Sequence, residues 1–153
     1  MFRGNHSNLD LLKAVGLAAI ITIALYLRFK YIFDIPLMPL VGDAANYDLM
    51  VRQFLEKGFL GYMSKKPNAY VTPGYPLFLA AVYLIAGYEP KSPYNTVRVV
   101  QAVLGSLSLI PLYHIGKRIS GTFAAFSACM LFAVYPTFAL SPTLLLTEVL
   151  YMF

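Results

Sequence analysis

Charge is what this sequence has least of. Only 12% of its 153 residues are Asp, Glu, Lys or Arg, about half the share in an ordinary soluble domain. Cys129 is the single cysteine, so neither a disulfide framework nor a thiolate metal cluster can be built. Its two histidines, His6 and His114, lie far apart in the chain and offer no imidazole pair for a metal. Tryptophan is absent. Acidic residues number 7 against 12 Lys and Arg, a net charge of +5. Those bases cluster outside the apolar runs, with no basic stripe interleaved with aromatics, which excludes a nucleic-acid partner. They suit anionic lipid headgroups or a phosphorylated ligand instead. Nucleotide-binding loops, nucleophile elbows and zinc motifs are missing too.

Apolar residues fill the space. They make up 59% of the chain, with a mean hydropathy of +0.65. Four apolar stretches follow one another, at 11–27, 77–87, 97–115 and 122–140. The first, third and fourth reach roughly 25–29 Å as helices, close to the hydrocarbon thickness, and read as transmembrane helices. Lys13 can snorkel back to the interface. The second stretch opens with Pro73, Gly74 and Pro76 and spans only about 16 Å, which fits a re-entrant or interfacial helix.

Between the first two stretches, 42–58 reads as an amphipathic helix lying in the interface. Tyr47, Met50, Val51 and Phe54 form its apolar face, and Asp48, Arg52 and Glu56 a solvated one. Gly58 is its stop. His114 is expected at an interface, Cys129 in the core, and the many tyrosines and phenylalanines in belts and core. The run 141–153 reads as the start of a further helix with Glu148 deep inside it. The expectation is an all-α membrane protein forming one domain over 1–153, with about three transmembrane helices plus interfacial and re-entrant helices.

Orientation follows from the loops. Arg3, Lys13 and the first apolar stretch resemble a signal sequence, but Tyr26-Leu27-Arg28-Phe29-Lys30-Tyr31 lacks the small residues of a cleavage site, so the first span is read as uncleaved. The short connection 116–121 carries Lys117 and Arg118, and short basic loops favour the cytoplasm. The N-terminus is then cytoplasmic, 28–96 is outside, and Glu148 lies on that same outer side. Were 77–87 to cross, Lys117 and Arg118 would face out, against the charge rule. Arg28, Lys30, Arg52, Lys57, Lys65, Lys66 and Lys91 sit in the long outer loop, where they count weakly.

Three residues could carry chemistry. Asp43 can cap the amphipathic helix or act as a general base on a hydroxyl. Arg98, opening an apolar helix, can snorkel to headgroups or hold a lipid phosphate. Glu148 calls for a polar partner, because a charge at membrane depth costs at least about 2.5 kcal/mol.

The order of these pieces resembles the GT-C membrane glycosyltransferases, in the branch of protein O-mannosyltransferases and aminoarabinose lipid A transferases. The likeness rests on Gly42-Asp43-Ala44-Ala45-Asn46-Tyr47, on Thr72-Pro73-Gly74-Tyr75-Pro76, and on the segment 97–105 that carries Arg98. Gly116-Lys117-Arg118 and Leu146-Thr147-Glu148 complete it. The resemblance implies transfer of a sugar from a polyprenyl-phosphate-linked donor to a protein, lipid or glycan acceptor hydroxyl at the outer face of the plasma membrane. It implies Asp43 as general base and Glu148 as a second acid of the site. Arg98 would bind the phosphate, with Tyr47 and Tyr75 of the matching segments as further substrate-binding residues; by their charge, Lys65 and Lys66 in the outer loop are further phosphate neighbours. A divalent metal is compatible with this chemistry, but the sequence does not indicate one. The chain departs from the family in Asp-Ala where many relatives have Asp-Glu, and in Thr-Pro-Gly-Tyr-Pro where others have a basic residue before paired prolines. Relatives continue through many more spans, so these 153 residues match the N-terminal part of such an enzyme, and activity for them alone is not implied. The rival reading is a non-catalytic membrane assembly or transport module in which Glu148 makes a buried polar contact.

Overall fold

The computed structural model describes residues 4–37 and 39–153; Arg3 lies outside them, as does the side chain of His6. Every regular element among the described residues is helical, as expected. They are α1 (Gly4–Asp34), α2 (Gly42–Lys57), α3 (Gly74–Ala86), α4 (Tyr94–Leu107), α5 (Leu109–Val134), α6 (Pro136–Leu140), a 3-10 turn at Ser141–Thr143, and α7 (Glu148–Met152). Two stretches among the described residues are long and apolar enough to cross a membrane, Asn8–Asp34 and Tyr94–Val134.

The second stretch is a hairpin. α4 runs into α5 through Ser108, whose backbone is helical, and the break comes at Gly121, with φ 82° and ψ 177°. Only glycine enters that region at little cost. Beyond it the chain doubles back. Tyr113 meets Phe126 with ring centroids 5.0 Å apart, and the Cys129 thiol lies 3.6 Å from the Leu109 carbonyl. A Cβ on Gly116 would sit 3.1 Å from the Ala125 Cα, so glycine there lets the arms touch. Residues 116–120, expected as a loop, are helical, and Gly121 alone makes the corner. The returning arm stops at Val134 rather than 140, because Pro136 bars the helical region to Tyr135, which is extended (φ −65°, ψ 125°).

α1 packs along both arms. Gly16 faces Phe126 near the Gly121 corner, and Ile20 and Ala24 share a core with Leu109, Tyr113, Ala125, Cys129 and Ala133. At the other end Arg98 Nη2 donates to the Ile35 carbonyl at 3.2 Å. The amino end of α1 and the Lys117-Arg118 corner therefore share one end of the bundle. α1 also continues past the expected limit at 27. Arg28, read as a loop base, is only 1% exposed. It donates to the Ala24 carbonyl at 3.2 Å and stands over the Phe132 ring at 5.8 Å.

At the opposite end, α2 and α3 form a layer around Tyr47, Met50, Val51, Tyr75, Leu79 and Tyr83. Gly58 ends α2 in a left-handed conformation (φ 76°), its N–H bonded to the Phe54 carbonyl at 2.9 Å. α3 has only 13 residues, too few to cross a bilayer. The solvated face expected on α2 needs correction at Asp48. Its carboxylate accepts from Ser92 (2.6 Å), Tyr83 (2.7 Å) and Tyr94 (3.2 Å), with Arg52 at 3.5 Å. These donors lie too far along the chain for helical periodicity to reveal them. Burial first, and then the bond to Asp48, holds the Tyr83 phenol far above its ordinary range. Glu56 is exposed, as expected.

Gly121→Ala should destabilise the protein by about 1–3 kcal/mol, the cost of a non-glycine residue in that backbone region. Denaturant unfolding in detergent measures it.

Candidate functional site

Where α1, α2 and α4 meet the segment after α6, the chain encloses a cavity of about 640 Å³. The linker after α1 forms one wall, with Leu37, Leu40 and Val41. Thr143–Leu146 form the other. The surface is mostly apolar, and its charged groups are Asp43 and Arg98.

Arg98 is 2% exposed. Its Nη2 donates to the Ile35 carbonyl at 3.2 Å and its Nη1 reaches Asn95 Oδ1 at a long 3.4 Å. Nε has no partner among the described residues. Neither bond is to a carboxylate, so a buried cation with an unused donor forms part of the wall. Such a group is costly unless an anion reaches it.

Asp43 is not the cap of α2. The helix begins one residue earlier, at Gly42 (φ 59°), with Val41 in the capping position and no side-chain cap bond. Asp43 instead sits in the first turn, where the helix dipole favours an anion. Its Oδ1 accepts from the Tyr62 hydroxyl at 2.5 Å. That bond, then burial, raises the Tyr62 phenol. The Asp43 side chain remains exposed.

Glu148 departs further from expectation. The run 141–153 is not one helix: a 3-10 turn is followed by four irregular residues, and α7 starts at Glu148 itself. Pro142 and the extended backbone at Leu144 (φ −106°, ψ 146°) interrupt a continuous helix. Glu148 is exposed rather than buried. It lies at the same end of the bundle as Asp43, near enough to Tyr47 and Tyr75 to help raise both phenols, after burial and closer neighbours. Those two tyrosines are buried, their rings edge-on at 5.0 Å, and stand outside the cavity wall. Lys65 and Lys66 do not join them. Both are exposed in the loop after α2 and line neither this cavity nor the smaller one.

That smaller pocket, about 350 Å³, adjoins the first through shared Leu37 and Tyr94, and carries Arg52, Lys91, Ser92 and Asn95. Among the described residues no group of three His, Cys, Asp or Glu could hold a metal ion.

Sequence reasoning missed Tyr62 and Gln101. Gln101, 1% exposed, accepts from the Tyr75 hydroxyl at 2.8 Å and donates to the Leu144 and Pro142 carbonyls at 2.7 and 3.3 Å. An amide inside an apolar helix, one turn after Arg98, was the available signal. Tyr62 had none, since only the tertiary fold brings it to Asp43.

An apolar slot with a buried cation and a carboxylate in its wall suits an amphiphile with an anionic head. Comparison with protein-family models, with curated proteins and with solved structures finds no match. Over its described residues the chain is an all-helical protein with two stretches long and apolar enough to cross a membrane and a mostly apolar cavity.

Asp43→Asn should leave stability within about 1 kcal/mol of the parent, because no cap bond is lost and the amide oxygen can still accept from Tyr62. Thermal unfolding checks this.

Proposed function

We propose that the chain is the donor-binding part of a membrane glycosyltransferase, moving a sugar from a polyprenyl phosphate to an acceptor hydroxyl at the outer face of the plasma membrane. The observation that carries it is buried Arg98, bonded to no carboxylate, in the wall of an otherwise apolar cavity that also holds Asp43. The isoprenoid tail lies along Leu37, Leu40, Val41 and Leu144, and the phosphate takes the guanidinium. Asp43 accepts the proton of the incoming hydroxyl. The hydroxyl oxygen bonds to the anomeric carbon as the carbon–oxygen bond to phosphate breaks, and Arg98 stabilises the departing charge. Glu148, a neighbour of Tyr47 as Asp43 is, takes part in holding the sugar or the acceptor. The likeness to GT-C enzymes supports this assignment of roles.

In this reading α1 and the first hairpin arm are transmembrane helices, the returning arm completes its crossing through α6 and the 3-10 turn, α2 and α3 lie at the outer interface, and the N-terminus is cytoplasmic with Lys117 and Arg118. In the rival reading, an assembly or transport module with Glu148 in a buried polar contact, that contact has to come from a second chain, because the side chain is exposed in this one.

Two measurements test the reading. In nanodiscs, Arg98→Leu should weaken polyprenyl phosphate binding at least tenfold while leaving binding of the uncharged polyprenol unchanged. Equal losses for both ligands refute the phosphate site. In the active enzyme Asp43→Asn should lower kcat by at least a hundredfold, and near-parental turnover refutes the base. Orientation is checked separately: cysteines at 91 and 117 should label from opposite faces of the membrane.

A further inference from the structure

The smaller pocket has no part in the reading above, although its wall carries two bases. About 350 Å³ in volume, it is lined by Arg52 and Lys91 and by the polar groups of Ser92, Tyr94, Asn95 and Thr96. No carboxylate among the described residues lines it. Lys91 is exposed and makes no ion pair among them. Arg52 is used on one edge only. Its Nε and Nη2 donate to Ser92 Oγ at 3.0 and 2.7 Å, with Asp48 beside them at 3.5 Å. Its Nη1 meets only the carboxylate of Glu89, at 4.0 Å, and that side chain is 68% exposed.

This pocket opens beside the larger cavity. Leu37 and Tyr94 belong to both walls, and Asn95 Oδ1 in the smaller accepts from Nη1 of Arg98 in the larger. Asn95 and Arg98 are one turn apart on α4, about 5 Å along its axis. A buried cation at the end of the apolar cavity is thus followed, within a helical turn, by a compartment with two more cations. Bases gathered in one wall repel each other, and a ligand anion between them offsets that cost.

We propose that the smaller pocket is a second anion site, so that the ligand is an amphiphile whose head carries two acidic groups. The first rests on Arg98, and the second lies between Lys91 and the Nη1 edge of Arg52. This rests on the anion site assigned to Arg98 above and adds to it the charge of the head. Asn95 and Thr96 offer an amide and a hydroxyl to the oxygens of the second group. Ser92 does not, because its Oγ already accepts from Arg52 and donates to Asp48 at 2.6 Å.

The test uses the full chain in phosphatidylcholine nanodiscs, with dodecyl phosphate and dodecyl diphosphate as probes, so that the tail is constant. The parent should bind the diphosphate at least tenfold more tightly. Lys91→Gln should weaken the diphosphate about tenfold, the loss of one charge-assisted contact, and leave the monophosphate within twofold. Lys57→Gln removes an equal charge from the end of α2, outside both cavities, and should change neither. Arg98→Leu should weaken both probes. Inorganic diphosphate, which has no tail for the apolar cavity, should compete at least tenfold less well than dodecyl diphosphate. Equal binding of the two probes by the parent, with Arg98→Leu still abolishing both, overturns the second site and leaves the first standing. A Lys91→Gln effect shared by the monophosphate, or reproduced by Lys57→Gln, marks general attraction to a basic protein and overturns it too. Inorganic diphosphate competing as well as the dodecyl probe overturns the single spanning ligand. Absence of binding of either probe to the parent overturns both sites.

Discussion

Irregular backbone set among apolar helices must have its carbonyls bonded, since neither hydrocarbon nor packed side chains can supply a donor. Between the 3-10 turn and α7 this chain carries such a segment, and Gln101 answers it at Pro142 and Leu144. The rest of the site follows from the face of α4 on which Gln101 lies. Arg98, Gln101 and Gly105 recur at helical spacing, i, i+3 and i+7. Arg98 reaches the Ile35 carbonyl at the end of α1. Gly105 lets the same two helices close further down, where a Cβ would sit 3.4 Å from Arg28 Nε and 3.5 Å from Val149. One helix face thus holds the end of α1, the irregular segment and α7 in register, and the cavity is the space they leave.

Arg28 is the unresolved tension in that arrangement. A guanidinium this deeply buried should be paired or expelled, yet its bonding is one carbonyl of its own helix and the face of Phe132. The stem packs as an apolar side chain would, and the ring offers a modest attraction. A Cβ at 105 would stand in van der Waals contact with Arg28 Nε, so a side chain longer than alanine there would meet the guanidinium.

The helices were legible wherever local periodicity decided them. The stop of α2 at Gly58, the shortness of α3 and the antiparallel pair joined near Lys117-Arg118 could all be read from spacing and glycine or proline placement. Three readings failed for a common reason, which is that local pattern ignores what packs against it. Arg28 looked like a loop base because charge normally ends a span, while the helix runs on to Asp34. The run 141–153 looked like one helix because its composition is apolar, while Pro142 and the bonding of Leu144 to Gln101 hold it open. Asp48 looked solvated because its partners on α2 suggested only an i, i+4 pair. Of the site, Asp43 and Arg98 do line one cavity, whereas Lys65 and Lys66 were included on charge alone and stand apart from it.

Of the three carboxylates on α2, Asp43 and Asp48 are held in contrasting ways. Asp48 takes three hydroxyl donors and stands beside Arg52. Those bonds join α2, α3 and the start of α4. Asp43, on the same helix but turned by about 140°, has one phenol donor on Oδ1 and an exposed side chain in the cavity wall. Tyr62 holds the carboxylate in a fixed direction while leaving acceptor capacity for a further hydroxyl. A carboxylate with three hydroxyl donors braces the layer, and one with a single donor keeps acceptor capacity in the cavity wall. The same helix therefore supplies both the rigidity of the site and its only carboxylate, among the described residues, that lines the larger cavity.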